Sequence, residues 1–117
     1  MSNNHDDTAR TAIIRSLNDR FRQTFIGGAV VITAGIAAVD EATQRRLFAA
    51  VQTFDAFDEV NDPWHEHDFG AVEVDGQRVF FKLAYYDLTR AMHSEDAADP
   101  AKTERVAQSA TADEAAI

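Results

Sequence analysis

The chain has 117 residues, no cysteine and a formal charge of −9. That length fits one domain burying roughly 65% of its unfolded surface, and the missing cysteine excludes disulfides and thiolate metal sites. No apolar run nears the ~20 residues of a membrane span and the start lacks a signal peptide's apolar core, so a cytoplasmic protein without a cofactor is expected.

The charge is uneven. Residues 1–26 carry four Arg against three Asp, 27–68 two Arg against eight acids, 69–86 two of each sign, and 87–117 three bases against seven acids. No basic cluster exists to neutralise phosphates, which argues against direct nucleic-acid binding. An acidic surface favours basic protein partners, including those that themselves hold DNA.

Residues 1–7 read as a disordered start, with Asp7 or Thr8 placed to cap a helix. Ile13, Ile14, Leu17, Phe21 and Phe25 recur at three- and four-residue steps and mark one apolar helical face. Arg15, Asp19 and Arg22 form a charge ladder on another face, and Gly27-Gly28 ends the helix. "AVVIT", Ala29 to Thr33, is β-branched and glycine-bounded, which predicts a short buried strand. Asp40 is placed to cap a second helix, with Leu47, Phe48, Val51 and Phe54 as its buried stripe and Arg45 and Arg46 outward. That helix should fade near Phe57, before Pro63 pushes Asp62 towards extended geometry.

Two alternating runs then flank Asp75-Gly76, a pair typical of a type I′ hairpin turn. A two-residue loop fixes the register, placing Val72 opposite Val79, Glu73 opposite Arg78, Gly70 opposite Phe81 and Asp68 opposite Leu83. Val72, Val74, Val79, Phe81, Leu83 and Tyr85 then share the core face. The opposite face collects Phe69, Ala71, Phe80, Ala84 and Tyr86 around Glu73, Arg78 and Lys82. It is too apolar for plain solvent exposure, so a helix or a partner should cover it. After Asp87, Asp99 and Pro100 suit the start of a weak terminal helix. Residues 107–117 are small and polar and read as a frayed or disordered tail. The domain proper is thus expected over 8–106.

The chemistry-bearing stretch is "NDPWHEHDFG", Asn61 to Gly70. In an extended strand His65 and His67 would project to one side, a two-point set for zinc, copper, iron or nickel. Asp58, Asp62 or His93 could add a third ligand, though no spacing singles one out. Acid–base chemistry would draw on Glu66, His67 and Asp68. No Ser or Cys nucleophile elbow and no phosphate-binding glycine loop accompanies them. The structural alternative makes the cluster a fold-fixing knot, in which Asp68, on the core side, needs a partner such as Arg15, Arg20 or Arg22. Trp64 is a core lid or an exposed anchor.

The strings "LNDRFRQTFIGGAVVITAGI", "FDAFDEVNDPWHEHDFGAVEVDG", "FFKLAYYD" and "DPAKTERV" together resemble the bacterial domain-of-unknown-function family three-seven-six-eight, over about Leu17 to Val106. The resemblance implies alphaproteobacterial, often plasmid-borne or mobile-element company, and no established activity or site. It also implies an "EHDFG" string, met here by Glu66 to Gly70, and a glycine just before it, where this chain has His65. After Val106 the chain departs from the family pattern, so a divergent C-terminus is expected.

The expectation is therefore an α+β domain in the order α–β–α–β–β: a three-stranded, mostly antiparallel sheet against two helices, with a weak C-terminal helix. The leading function is a non-enzymatic binding module of mobile elements. It would meet a basic host or defence protein or a second copy through Trp64, Glu66, His67, Asp68, Phe69, Gly70, Tyr85, Tyr86 and Asp87. The alternative is a metal-assisted or acid–base hydrolase centred on His65 to Asp68.

Overall fold

The computed structural model describes the backbone of residues 3–115 and the side chains of 7–115. Disorder expected at residues 1, 2, 116 and 117 lies outside that range. Helix α1 spans Asn3–Thr24, so it starts before the expected Asp7 or Thr8 cap. Its buried residues are Ile14, Asn18, Phe21 and Arg22, steps of three and four that place a polar pair among the apolar ones. Arg22, expected on the outer ladder, is therefore an inward residue, while Ile13 is exposed. The helix ends two residues before the expected glycine cap. Phe25, not a glycine, takes the left-handed cap position (φ 56°) and donates its N–H to Phe21 O at 2.6 Å.

Strand β1 is Gly28–Ile32, followed by the single turn α2, Ala34–Ala37. Helix α3 is Glu41–Thr53, with Asp40 capping it through Thr43 N and Leu47 and Val51 buried, as the sequence predicts. It stops before Phe57. Strands β2, Phe69–Val74, and β3, Gln77–Tyr86, form the hairpin with the predicted register throughout. Asp75 and Gly76 both have positive φ, 54° and 79°, as a type I′ turn requires.

The main correction concerns the C-terminal part. The weak helix expected from Asp99 and Pro100 does not form, and Glu104–Thr111, which runs into the tail expected from residue 107, is strand β4, followed by the turn α4, Ala112–Ala115. Asp99 and Pro100 open a turn, with Asp99 Oδ1 accepting from Ala101 N at 2.9 Å. The sheet has four strands in the order β1-β4-β3-β2, with β1–β4 parallel and the other pairs antiparallel. β4 lies between β1 and the hairpin, and β1 is an edge strand with Val30 and Val31 exposed, not a buried one.

Helices α1, α2 and α3 pack on one face. Ile36, Leu47 and Val51 meet Val72, Val79 and Phe81, while Phe21 meets Leu83 and Ala107. Gly70 sits opposite Phe81; a Cβ there would stand 2.5 Å from the Phe81 ring and 2.9 Å from Phe54. The other sheet face carries none of these three helices. It presents the stacked rings of Phe69 and Phe80, 5.8 Å apart, with Arg78 over Phe80.

Candidate functional site

The loop before β2 is not extended. His65 and His67 both adopt left-handed backbone, φ 61° and 57°, a costly geometry for residues with a Cβ. The position where the family resemblance implies glycine is His65, and glycine adopts this φ freely. The left-handed turns send the two imidazoles apart, so they form no strand-borne ligand pair. His65 is exposed and lines a groove with Trp64, Asp7, Thr11, Ala12 and Arg15 of α1. His67 turns inward. Its Nδ1 lies 2.8 Å from Asp19 Oδ1. A carboxylate only accepts, so Nδ1 carries the hydrogen. Its Nε2 lies 3.6 Å from Asp62 Oδ2, its backbone N–H donates to Asp62 Oδ1, and its ring stacks on Phe57 at 3.9 Å. Of the three proposed extra ligands, Asp62 alone meets His67. Asp58 holds its own turn by accepting from Val60 N and Asn61 N, and His93 stacks on Tyr86. Among the described residues no three His, Asp or Glu side chains are arranged to hold a metal ion.

Glu66 and Tyr85 belong to a second, interior network. Arg105 Nε donates to Asn18 Oδ1 at 2.7 Å, and Asn18 Nδ2 donates to Tyr85 Oη at 2.7 Å and to Glu66 O at 2.9 Å. Tyr85 Oη donates to Glu66 Oε1 at 2.7 Å. Arg105 also donates to Ala97 O and lies over the Tyr85 ring. Four elements of the chain are tied by one directional run of donors. Burial, reinforced by the Glu66 bond, pushes the Tyr85 hydroxyl well above the usual tyrosine range, so it remains a donor. Asn18 is fully buried, and among the described residues no buried side-chain nitrogen or oxygen lacks a partner.

Asp68 departs from expectation. No arginine pairs with it: Arg15 donates to His65 O, and Arg22 to Asp19, Val51 O and Phe54 O. Burial, then the nearby Glu66 and Asp62 charges, raises its pKa above the ordinary aspartate value. Gly70 is core. Phe69 and Tyr86 belong to the sheet face opposite the helices, where His93 stacks on Tyr86, and Asp87 holds the following turn by accepting from Thr89 and Ala91. The predicted site residues thus divide between an interior knot, an open sheet face and an exposed loop. Asn18 and Arg105 were not among them. Asn18 had a sequence signal, since it stands four residues after Ile14 and three before Phe21, on the inward face. Arg105 lay in the segment read as leading into a tail.

Trp64 proves to be an exposed residue, 74% accessible, next to Val60 at 90% on the same loop. The groove it borders encloses about 490 Å³. Asp55, Asp58 and Glu59 of the same loop are also exposed. Residues 47–77 contain eight acids and neither Lys nor Arg.

These features define a small α+β domain whose ligand-type cluster is largely consumed by internal bonds. The chain belongs to the DUF3768 family of proteins of unknown function, whose model matches residues 32–114. The match runs through β4, past the point where the resemblance read from the sequence ended. Searches of curated proteins and of solved structures returned no match. No helix among the described residues is long and apolar enough to cross a membrane.

Proposed function

We propose that the protein is a non-enzymatic binding module that takes a basic protein partner on its acidic flank, with Trp64 as the anchor. The observation that carries this reading is an exposed tryptophan in a loop whose exposed charges are all acidic. Large aromatic side chains dominate interface energetics, and surrounding charge steers a partner of opposite sign. The mobile-element company implied by the family resemblance makes a cytoplasmic host or defence protein the first partner to test. The hydrolase reading has less support. Both nitrogens of His67 face carboxylates, Glu66 is engaged by Tyr85, and His65 points elsewhere.

The test uses immobilised full-length protein, its Trp64→Ala variant and an Asp55→Lys/Glu59→Lys variant, with captured proteins identified by mass spectrometry. A basic protein should be retained by the wild type, lost from both variants, released at about 0.5 M salt, and should bind again once purified. A set of captured proteins that is unchanged by Trp64→Ala refutes the reading. So does a hydrolytic activity that disappears in a folded His67→Ala variant.

A further inference from the structure

Arg105 is only 5% exposed, and burying a full charge is costly unless a counter-charge meets it. Its partners are neutral: Nε donates to Asn18 Oδ1 and Nη2 to Ala97 O, and the guanidinium lies over the Tyr85 ring. Glu66, whose charge reaches it, is held at one remove through Asn18 and Tyr85. Nη1 makes no hydrogen bond among the described residues. It is not sealed from solvent either, since no fully buried side-chain nitrogen there lacks a partner. Arg105 lines a cleft of about 150 Å³ between the end of α1 and the segment before β4, with Arg20, Phe21 and Ile26 on one wall and Pro100 and Thr103 on the other. No acid lines it, in a chain with 20 of them. Arg20 is exposed, and its side chain has no hydrogen-bond or ion-pair partner among the described residues. The carbonyls of the last α1 turn, which would disfavour an anion, are taken up: Arg20 O accepts from Thr24 Oγ1 and Phe21 O from Phe25 N–H.

We infer that this cleft is a phosphate-group site, in which the Arg20 guanidinium and the free Nη1 of Arg105 hold one small tetrahedral anion. Charge and donor geometry identify the occupant. Two guanidiniums match a dianion, and their forked N–H donors suit phosphate oxygens. The anion supplies the counter-charge that no carboxylate gives Arg105. Size limits the ligand to a free phosphate or to the phosphate end of a larger molecule, because pockets that enclose a whole small molecule start at about 300 Å³. Two arginines at one cleft are also too few to track a nucleic-acid backbone. The Thr103 hydroxyl is not a ligand, since it donates to Asp96 O and shares a hydrogen bond with Ser94 Oγ. Arg20 comes from α1 and Arg105 from β4, so the pair exists only in the folded chain and leaves no basic cluster in the sequence.

The test is a titration of the full chain with sodium phosphate at neutral pH, against sodium chloride at matched ionic strength, followed by the Arg105 Nε–H and Gly27 N–H signals in proton–nitrogen NMR. Phosphate should give saturable shifts and a Tm that climbs with its concentration, and chloride neither. Arg20→Gln changes an exposed residue with no partner to lose. It should leave circular dichroism unchanged and weaken phosphate binding about tenfold or more. Arg45→Gln, whose arginine pairs with Glu41 on α3, should bind as the wild type does. Should Arg20→Gln not fold, Arg20→Lys, which keeps the charge and loses the fork, decides by the same measurement. Phosphoserine is the second arm: binding tighter than that of the free ion assigns the site to a phosphorylated molecule, and weaker binding assigns it to phosphate itself. Shifts that never saturate, or that chloride reproduces, overturn the inference. So does phosphate binding that a folded Arg20 variant leaves unchanged, which would mark an adventitious ion only.

Discussion

Asn18 makes hydrogen bonds to three separate parts of the chain: the Glu66 backbone, the Tyr85 hydroxyl and the Arg105 guanidinium. A buried network of this kind is costly when one member is removed, because the remaining groups stay buried without partners. Asn18→Ala should therefore lower stability by about 3 kcal/mol, mostly through the stranded Arg105 charge. Urea unfolding measures it, and a loss below about 1 kcal/mol would mean that water replaces the amide. His65 presents the opposite case. Its left-handed backbone is a local cost, and its contact to Arg15 runs through the backbone carbonyl, which any residue keeps. His65→Gly should therefore raise stability, by up to about 1 kcal/mol, visible as a higher Tm. Asp68 supplies a pH signature. Its folded pKa is raised by burial and by Glu66 and Asp62. Its contribution is thus most favourable below the unfolded value of 3.8 and is lost as pH rises through the folded value. Asp68→Asn should stabilise the protein at pH 7, and that gain should vanish as pH falls below the carboxylate range. A loss at pH 7 from the same substitution would mean that the ionised carboxylate has a stabilising partner after all.

Among the elements, β4 joins β1 to the hairpin, hydrogen-bonded to a strand on each edge. A chain ending at residue 103 loses the pairing of β1 altogether and half that of β3, together with Arg105. It should show no cooperative unfolding transition by circular dichroism; a sharp transition would mean that the hairpin and helices form a core alone. The hairpin was legible in the sequence because its signals are local: Asp75-Gly76 sets the turn, and alternation on either side sets the faces. β4 was not legible because its inward face is mostly polar. Arg105, Ser109 and Thr111 are buried there beside Ala107, so reading polarity as exposure misplaces those three. Small side chains fit there because β3 sets Phe81 and Leu83 beside them, opposite Ser109 and Ala107, and close packing needs a small neighbour next to a large one. The candidate site divides the same way. The sequence located the Glu66–Asp68 cluster and foresaw a knot. Its partners Asn18 and Arg105 come from helix and strand far along the chain, and only tertiary structure brings them to it.

At the scale of the whole molecule, 20 acids face 11 bases, and the two kinds of charge interaction respond to salt in opposite senses. The ion pairs Arg10–Asp96, Arg45–Glu41 and Lys102–Glu95 are all substantially exposed; pairs of that kind contribute little and weaken further when screened. The interior network relies on short hydrogen bonds that mobile ions do not reach. What salt chiefly removes is therefore the mutual repulsion of the acidic excess, concentrated over residues 47–77. Raising NaCl from about 0.02 to 0.5 M should increase Tm by a few degrees, measured at a protein concentration low enough to keep the chain monomeric. A decrease would place the surface ion pairs above the repulsion in importance. The same screening acts on the proposed contact with a basic partner, and it weakens an acidic flank's hold on that partner. A salt titration therefore tests the contact without any mutation: a partner released as the salt rises fits an acidic flank, whereas one retained at about 0.5 M NaCl would place the contact on another surface.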